Sequence, residues 1–414
     1  MAFEWSIIPT SLVILLSGFF IAGTAGGLLP GAHMNSLVLF IGSAGILTAI
    51  GIGVMQAAHS ISSLIPAIFL GAPSESTSLA TLPAHRLLFK GEGYRALYLS
   101  LFGSVLGCIG FIVMALPVWF FLPFLETTLV SGMGIILSFI IAFSILGDAP
   151  GRRLKALFVF LLSGIFGMLV LKGSIPLENK LFCMLSGAFG IGGLAFAIIT
   201  DAGKGTRIPV QKLKVSASSV KTSSLIIPAV CGTLSGLIVG VLPATSTSHA
   251  VFLTLTLAAP FLTMIGEEAY LIAVGASQTS NFLFSVLTLR ILGKARNGTV
   301  VAINKSLSAT GGITNPQVLA ITGAFLSAIL LAVLLAGFAA KPLLKLASGA
   351  NGLIVNVTVI AALIAMTFIT SGFFGLLIAL TSASIGILCM SLEARRTHVL
   401  GMLLMPTLLF YLGL

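Results

Sequence analysis

Gly23-Thr-Ala-Gly-Gly-Leu-Leu-Pro-Gly31 returns later in the chain as Gly236-Leu-Ile-Val-Gly-Val-Leu-Pro-Ala244. Gly23 falls on Gly236, Gly27 on Gly240, Leu29 on Leu242 and Pro30 on Pro243, a constant offset of 213 (236 less 23). Each copy closes an apolar run of membrane-spanning length and then breaks it with proline, which removes a backbone donor. Small and polar residues follow, Ala32-His33-Met34-Asn35-Ser36 in one case and Thr245-Ser246-Thr247-Ser248-His249 in the other. At an offset of 204, Gly71-Ala72 meets Gly275-Ala276, Ser76 meets Ser280, Arg86 meets Arg290, Leu88 meets Leu292 and Lys90 meets Lys294. A weaker third block sets Arg152-Arg153 on Arg395-Arg396. Three blocks in the same order, including Pro, Arg and Lys, read as duplication of a unit of about 200 residues, the build of many secondary transporters.

Around those blocks the chain is apolar. Of its 414 residues 57% are hydrophobic and 7% charged, with a mean hydropathy of +1.17, where a soluble domain carries about 25% charged residues. That excludes a soluble enzyme, a disordered chain and a nucleic-acid binder. The net charge of +11 is dispersed in short basic clusters between apolar runs, at Arg86–Arg95, Arg152–Lys155, Lys204–Lys221, Arg290–Arg296 and Arg395-Arg396. This is the pattern of membrane loops facing the cytoplasm and anionic headgroups, not of a surface gathered for phosphate backbones. Cys108, Cys183, Cys231 and Cys389 each stand alone in an apolar run, so neither a metal site nor a disulfide framework is expected.

Runs suited to spans lie at 7–28, 36–55, 96–122, 128–146, 154–171 and 181–200, and again at 224–242, 250–265, 313–338, 353–370, 373–389 and 399–411. The first has no basic segment before it and reads as a retained span rather than a cleaved signal peptide. Ser60–Leu70 and Ala269–Leu289 are short or interrupted by polar residues and read as re-entrant or broken helices. The polar, basic stretch Asp201–Ser223 is the natural midpoint. The expected fold is thus an all-α polytopic membrane protein of about 10 to 14 transmembrane and re-entrant helices. Its two pseudo-symmetric repeats, read as inverted, are residues 1–205 and 206–414.

Polar groups tolerated inside apolar runs must face a cavity or a partner. The first such constellation is the pair of turns holding Pro30, Gly31, His33, Asn35 and Ser36, and Pro243, Thr245, Ser246, Thr247, Ser248 and His249. A helix starting just after the proline presents free backbone N–H groups, an anion site in the making. The second is Ser74, Glu75 and Ser76 with the counterpart Ser277, Gln278, Thr279, Ser280 and Asn281, hydroxyls and amides suited to a substrate or cation. Glu75 could take a coupling proton if burial raises its pKa, and His33 or His249 could relay one. Arg86 with Lys90, and Arg290 with Lys294, lie four residues apart on a helical face and suit a basic gate or a lipid phosphate. Asp148 and Asp201 are the only aspartates; each abuts a span end, and no Gly-x-Ser-x-Gly elbow exists, so an intramembrane hydrolase is not expected.

Gly27-Leu-Leu-Pro-Gly-Ala-His-Met-Asn35, Pro66-Ala-Ile-Phe-Leu-Gly-Ala-Pro-Ser-Glu75, Leu82-Pro-Ala-His-Arg-Leu-Leu-Phe-Lys-Gly-Glu-Gly-Tyr-Arg95 and Ser280-Asn-Phe-Leu-Phe-Ser285 resemble the TctA-type (DUF112) large permease subunit of tripartite tricarboxylate transporters, in particular its archaeal relatives. The resemblance covers nearly the whole chain. It implies a multi-pass permease of the prokaryotic cytoplasmic membrane. Such a permease works with a small membrane subunit and an extracytoplasmic binding protein and is driven by an ion gradient. The second turn departs from the pattern, with Pro243-Ala244-Thr245 in place of Pro-Gly. The expected function is therefore secondary transport of a small anion of the tri- or dicarboxylate class, coupled to Na+ or H+, with no bound cofactor and with membrane lipid as the surrounding partner. The alternative expectation is carriage of a polyprenyl-phosphate lipid, whose head group is also anionic. No Gly-x-x-x-x-Gly-Lys-[Ser/Thr] phosphate loop is present to couple transport to ATP.

Overall fold

The computed structural model describes residues 10–29, 34–38, 41–42, 45–69, 81–175, 177, 180–200, 209–213, 222–242, 247–258, 266–308, 311–349 and 352–414. Among them the chain is helical, without a strand. The first helices are α1 (Thr10–Leu28), α2 (Met34–Leu37), α3 (Ile46–Ser62), α4 (Leu64–Phe69), α5 (Thr81–Phe89), α6 (Gly93–Ser131), α7 (Met133–Leu146), α8 (Arg153–Lys172), α9 (Lys180–Leu185) and α10 (Gly192–Ile199). A π-helical segment, Ser186–Ile191, joins α9 to α10. Then come α11 (Thr222–Val241), α12 (Thr247–Ala258), α13 (Glu267–Leu292), α14 (Gly298–Leu307), α15 (Asn315–Gly349), α16 (Gly352–Ser391) and α17 (Gly401–Tyr411), the last preceded by a 3-10 turn, Arg396–Leu400. Eight described helical segments are long and apolar enough to cross a membrane, and shorter apolar helices at Met133–Leu146, Leu225–Val241 and Arg396–Leu412 accompany them. The chain is an all-α polytopic membrane protein.

Most of these helices turn large apolar side chains outward, among them Val113, Phe124, Leu154, Phe338 and Ile369. In water that would be an aggregation hazard; in lipid it is the solvated surface. Among the long helices, α3 and α13 are instead buried along nearly their whole lengths. α1 lies on α3, where Gly23 abuts the backbone of Met55 and Gly27 abuts His59 and Ser62. α11 lies on α13 in the same way, Gly236 against Ser280 and Gly240 against Phe284. A Cβ at any of these four would strike its neighbour, so the Gly-x-x-x-Gly spacing is what lets each pair approach closely. The glycines that align at the offset of 213 thus do one job twice.

Contacts advance in step along each pair, so α1 runs parallel to α3, and α11 to α13. α6 also runs along α13, with Gly103 beside Ile272 and Gly107 beside Ala276. α15 runs along α3, beginning at Ile321 against Gly53. Two layers result, α1–α3–α15 and α11–α13–α6. They point in opposite senses: Asn315, at the start of α15, accepts a hydrogen bond from Arg290, at the end of α13. The ladder of basic residues at the other end agrees, since Arg86 and Lys90 of the α5 region reach Glu267 at the start of α13.

Two sequence expectations are corrected. Ala269–Leu289 is not broken: α13 is one helix of 26 residues, about 39 Å long at 1.5 Å per residue. The hydroxyls of Thr279 and Ser280 bond nearby backbone carbonyls instead of opening the helix. In the other case, Ser63 marks a turn between α3 and α4 but keeps right-handed helical angles (φ −65°, ψ −20°), and Ile46–Phe69 forms one candidate span of 24 residues. The block at offset 204 also joins unlike elements, because Arg86 lies on short α5 while Arg290 ends long α13. The third block brings its two arginine pairs to one joint, where Arg152 pairs with Glu393 and Arg395 with Asp148.

Candidate functional site

The middle of α13 carries Ser277, Gln278, Thr279, Ser280 and Asn281, with Ser277, Thr279 and Ser280 fully buried and Gln278 7% exposed. No charge lies in this stretch. Thr279 donates its hydroxyl to the carbonyl of Ser104 on α6 at 2.8 Å, and Ser280 to Ala276 one turn back at 2.7 Å. Asn281 Oδ1 accepts from Ser285 at 3.2 Å, and Ser285 in turn accepts from Asn297 Nδ2 at 3.0 Å. Asn297 is the N-cap of α14, its side chain accepting from the amide of Val300. The next residue but one, Thr299, donates to Gln56 Oε1 of α3 at 2.9 Å, and Gln56 Nε2 donates to Ser60 at 2.9 Å. A polar path therefore links the two buried central helices through the start of α14.

Two atoms stand outside that path. Ser277 Oγ and Gln278 Nε2 are buried and have no hydrogen-bond partner among the described residues. Leaving such groups unpaired costs about 1–3 kcal/mol each, a cost a ligand with acceptor atoms would relieve. Both can donate, so the complementary group is an oxygen acceptor such as a carboxylate or phosphate. Gln56 was not among the residues singled out from the sequence. The signal was there: Gly53-Val-Met-Gln56 repeats the spacing of Gly275-Ala-Ser-Gln278, one glutamine on each central helix.

Of the other anticipated residues, Pro30, Gly31, His33, Ser74, Glu75, Ser76, Pro243, Thr245 and Ser246 lie outside the described residues. Asn35 and Ser36 fall on α2 and Ser248 and His249 on α12, but their side chains are outside the description. Thr247, at the start of α12, is buried. The basic residues sit at the two ends of α13 and not at its middle. Arg86 and Lys90 are exposed and pair with Glu267 at 3.6 and 3.3 Å. Arg290 donates to Asn315 at 2.6 Å and lies over Trp119, 5.7 Å from the ring centre. Lys294 follows in the segment between α13 and α14.

The sequence reading also passed over a second polar cluster. Asp148, set aside as a span-end residue, is buried between Arg395 and His398, at 2.7 and 2.6 Å. The two partners arrive from the far end of the chain, which no local pattern could foretell.

Comparison with known proteins matches residues 12–401 to the family described as "Tripartite tricarboxylate transporter TctA family". The chain is similar to an uncharacterised protein, MJ1079, of the archaeon Methanocaldococcus jannaschii, with 27% identity over 413 residues covering 97% of this chain and 99% of the relative. No solved structure matches it.

Proposed function

The chain belongs to the tripartite tricarboxylate transporter TctA family, and from that premise we propose that it carries a small organic anion of the tri- or dicarboxylate class, coupled to Na+ or H+. As a permease-type, multi-pass protein of a prokaryotic cell membrane it needs a path for its substrate through apolar surroundings. The observation that carries the substrate reading is the pair of unpartnered donors, Ser277 Oγ and Gln278 Nε2, buried midway along α13. A carboxylate bound there would meet hydroxyl and amide donors in a site of low dielectric, where such hydrogen bonds are strong. An uncharged site also suits transport, because a fixed cation would hold the anion too tightly to release it.

The opposed layers support the inverted-repeat reading. Each half contributes one central helix, α3 or α13, and lends its long helix, α6 or α15, to the other half's layer. Substrate would pass between two such units as they rock about the site. A small membrane subunit and an extracytoplasmic binding protein are the proposed partners, following the family's tripartite organisation.

The test is thermal stability of purified protein with citrate, with four-carbon dicarboxylates, and with a polyprenyl phosphate. Stabilisation by the carboxylates, lost in Gln278→Leu, supports the reading. Stabilisation by the polyprenyl phosphate alone would move the assignment to lipid-carrier transport, and stabilisation by none would overturn the anion reading.

A further inference from the structure

The connection between α7 and α8 meets the connection between α16 and α17 at a joint that buries an acid, an imidazole and a guanidinium in mutual contact. Asp148, 5% exposed, follows the last turn of α7. Its Oδ1 accepts from Arg395 Nε at 2.7 Å and its Oδ2 from the ring N–H of His398 at 2.6 Å. Arg395 also donates through Nη2 to the carbonyl of Gly147 at 2.8 Å, and its guanidinium lies 4.4 Å from the centre of the Phe252 ring on α12. His398 is 1% exposed. Its own carbonyl accepts the hydroxyl of Ser163 on α8 at 3.1 Å, which ties the backbone of the 3-10 turn to α8.

The charges around the ring can be counted element by element. From the end of α7 comes Asp148. From the start of α8 come Arg153, whose Nε donates to the Asp148 carbonyl at 3.1 Å, and Arg152, which pairs with Glu393 at the exposed rim at 4.0 Å. α16 brings the buried thiol of Cys389, and the 3-10 turn brings Arg395 and the part-buried Arg396, whose Nη1 has no hydrogen-bond partner among the described residues. The described side chains of α12 and α17 bring no titratable group to the ring. With His398 neutral, Asp148 and Arg395 balance; a proton on the ring, which is 1% exposed, would add a second buried positive charge beside Arg395, with Arg153 also at the joint. Burial accordingly pushes the imidazole below its usual value, against the pull of Asp148. Once the joint parts, the ring meets water and returns towards about 6.5.

We propose that His398 is a proton-binding site, vacant while this joint is closed and filled when it opens. Opening then takes up one proton. The sign follows from the lowered closed-state value: the closed joint is fully favoured above pH ~6.5 and loses its advantage as the pH falls below that, by up to about tenfold per pH unit. The inference does not depend on what the protein transports.

Hydrogen exchange read by mass spectrometry on the full chain tests it, comparing peptides that cover 144–152 and 392–400 at pH 7.5 and 5.5 after correction for intrinsic exchange. The expected result is a several-fold rise in opening at the lower pH in both peptides together, absent in His398→Gln, which keeps a donor but cannot gain a charge. The same rise in His398→Gln, or no rise in the unaltered protein, would overturn the proposal. Should that variant fail to fold, ring-labelled histidine in the unaltered protein decides: one of its five histidines should titrate well below 6.5, and five ordinary titrations would refute the assignment.

Discussion

Thr279 and Ser280 show why a hydroxyl-rich run survives as helix in an apolar setting. In water such side chains compete with the helix backbone; with no water at hand, each instead bonds a carbonyl that the helix geometry brings within reach. Thr279→Val should therefore cost about 0.6–1.7 kcal/mol, the range for hydrogen bonds between membrane helices, measured by unfolding in mixed micelles. Gln278→Leu should behave oppositely. It removes a buried amide with an unpaired nitrogen, so the ligand-free protein should be as stable as before or more so, while stabilisation by carboxylates disappears. Arg86→Ala and Lys90→Ala break exposed pairs with Glu267 and should each change stability by less than about 1 kcal/mol. At this scale the sequence exposed the polar run on α13, because uncharged polar residues stand out against an apolar background. It did not expose Gln56 or the Asp148–His398 contact, because their meaning comes from residues more than 200 positions away.

The helices themselves were legible where a proline or a basic cluster bounded an apolar run, and misread where polarity alone suggested an interruption. α13 is the clear instance; α6 is another kind of miss, because it runs on past Pro123 to Ser131, beyond the end of the apolar run at residue 122. The glycines of the first block were legible because each sits at a close helix crossing where a Cβ would strike its neighbour. Gly236→Leu should force α11 off α13 and cost about 1–3 kcal/mol through overpacking, whereas Gly18→Ala, which faces open space, should be neutral or slightly stabilising. The second block failed because Gly, Ala, Ser, Arg and Lys recur at the ends of many membrane helices. α16 contains a point of its own: Gly372 has φ 59° and ψ −159° inside an otherwise continuous helix. That backbone is open almost only to glycine, so Gly372→Ala should cost about 1–3 kcal/mol and show in the same unfolding measurement as a lower midpoint.

For the molecule as a whole, the class followed from composition. The relative direction of the layers did not, because it depends on which helices lie side by side. A labelling experiment checks it: single cysteines placed at Lys90 and at Arg290, at the two ends of α13, should react with an impermeant maleimide from opposite sides of the membrane. The four native thiols are all buried and give little background. Reaction from one side only would show that α3 and α13 do not run in opposite senses.

The exchange of long helices between the layers also bears on how the protein is made. α3 leaves the ribosome complete by Ser62, yet the helix that covers its second flank does not begin until Asn315. At synthesis rates of about 5–20 residues per second, that is a wait of roughly 10–50 seconds. During that interval a helix bearing Gln56, His59 and Ser60 must be sheltered by the insertion machinery or by a transient neighbour. Nascent chains arrested between these two points should accordingly crosslink to an insertase through α3, and lose that crosslink once α15 has emerged.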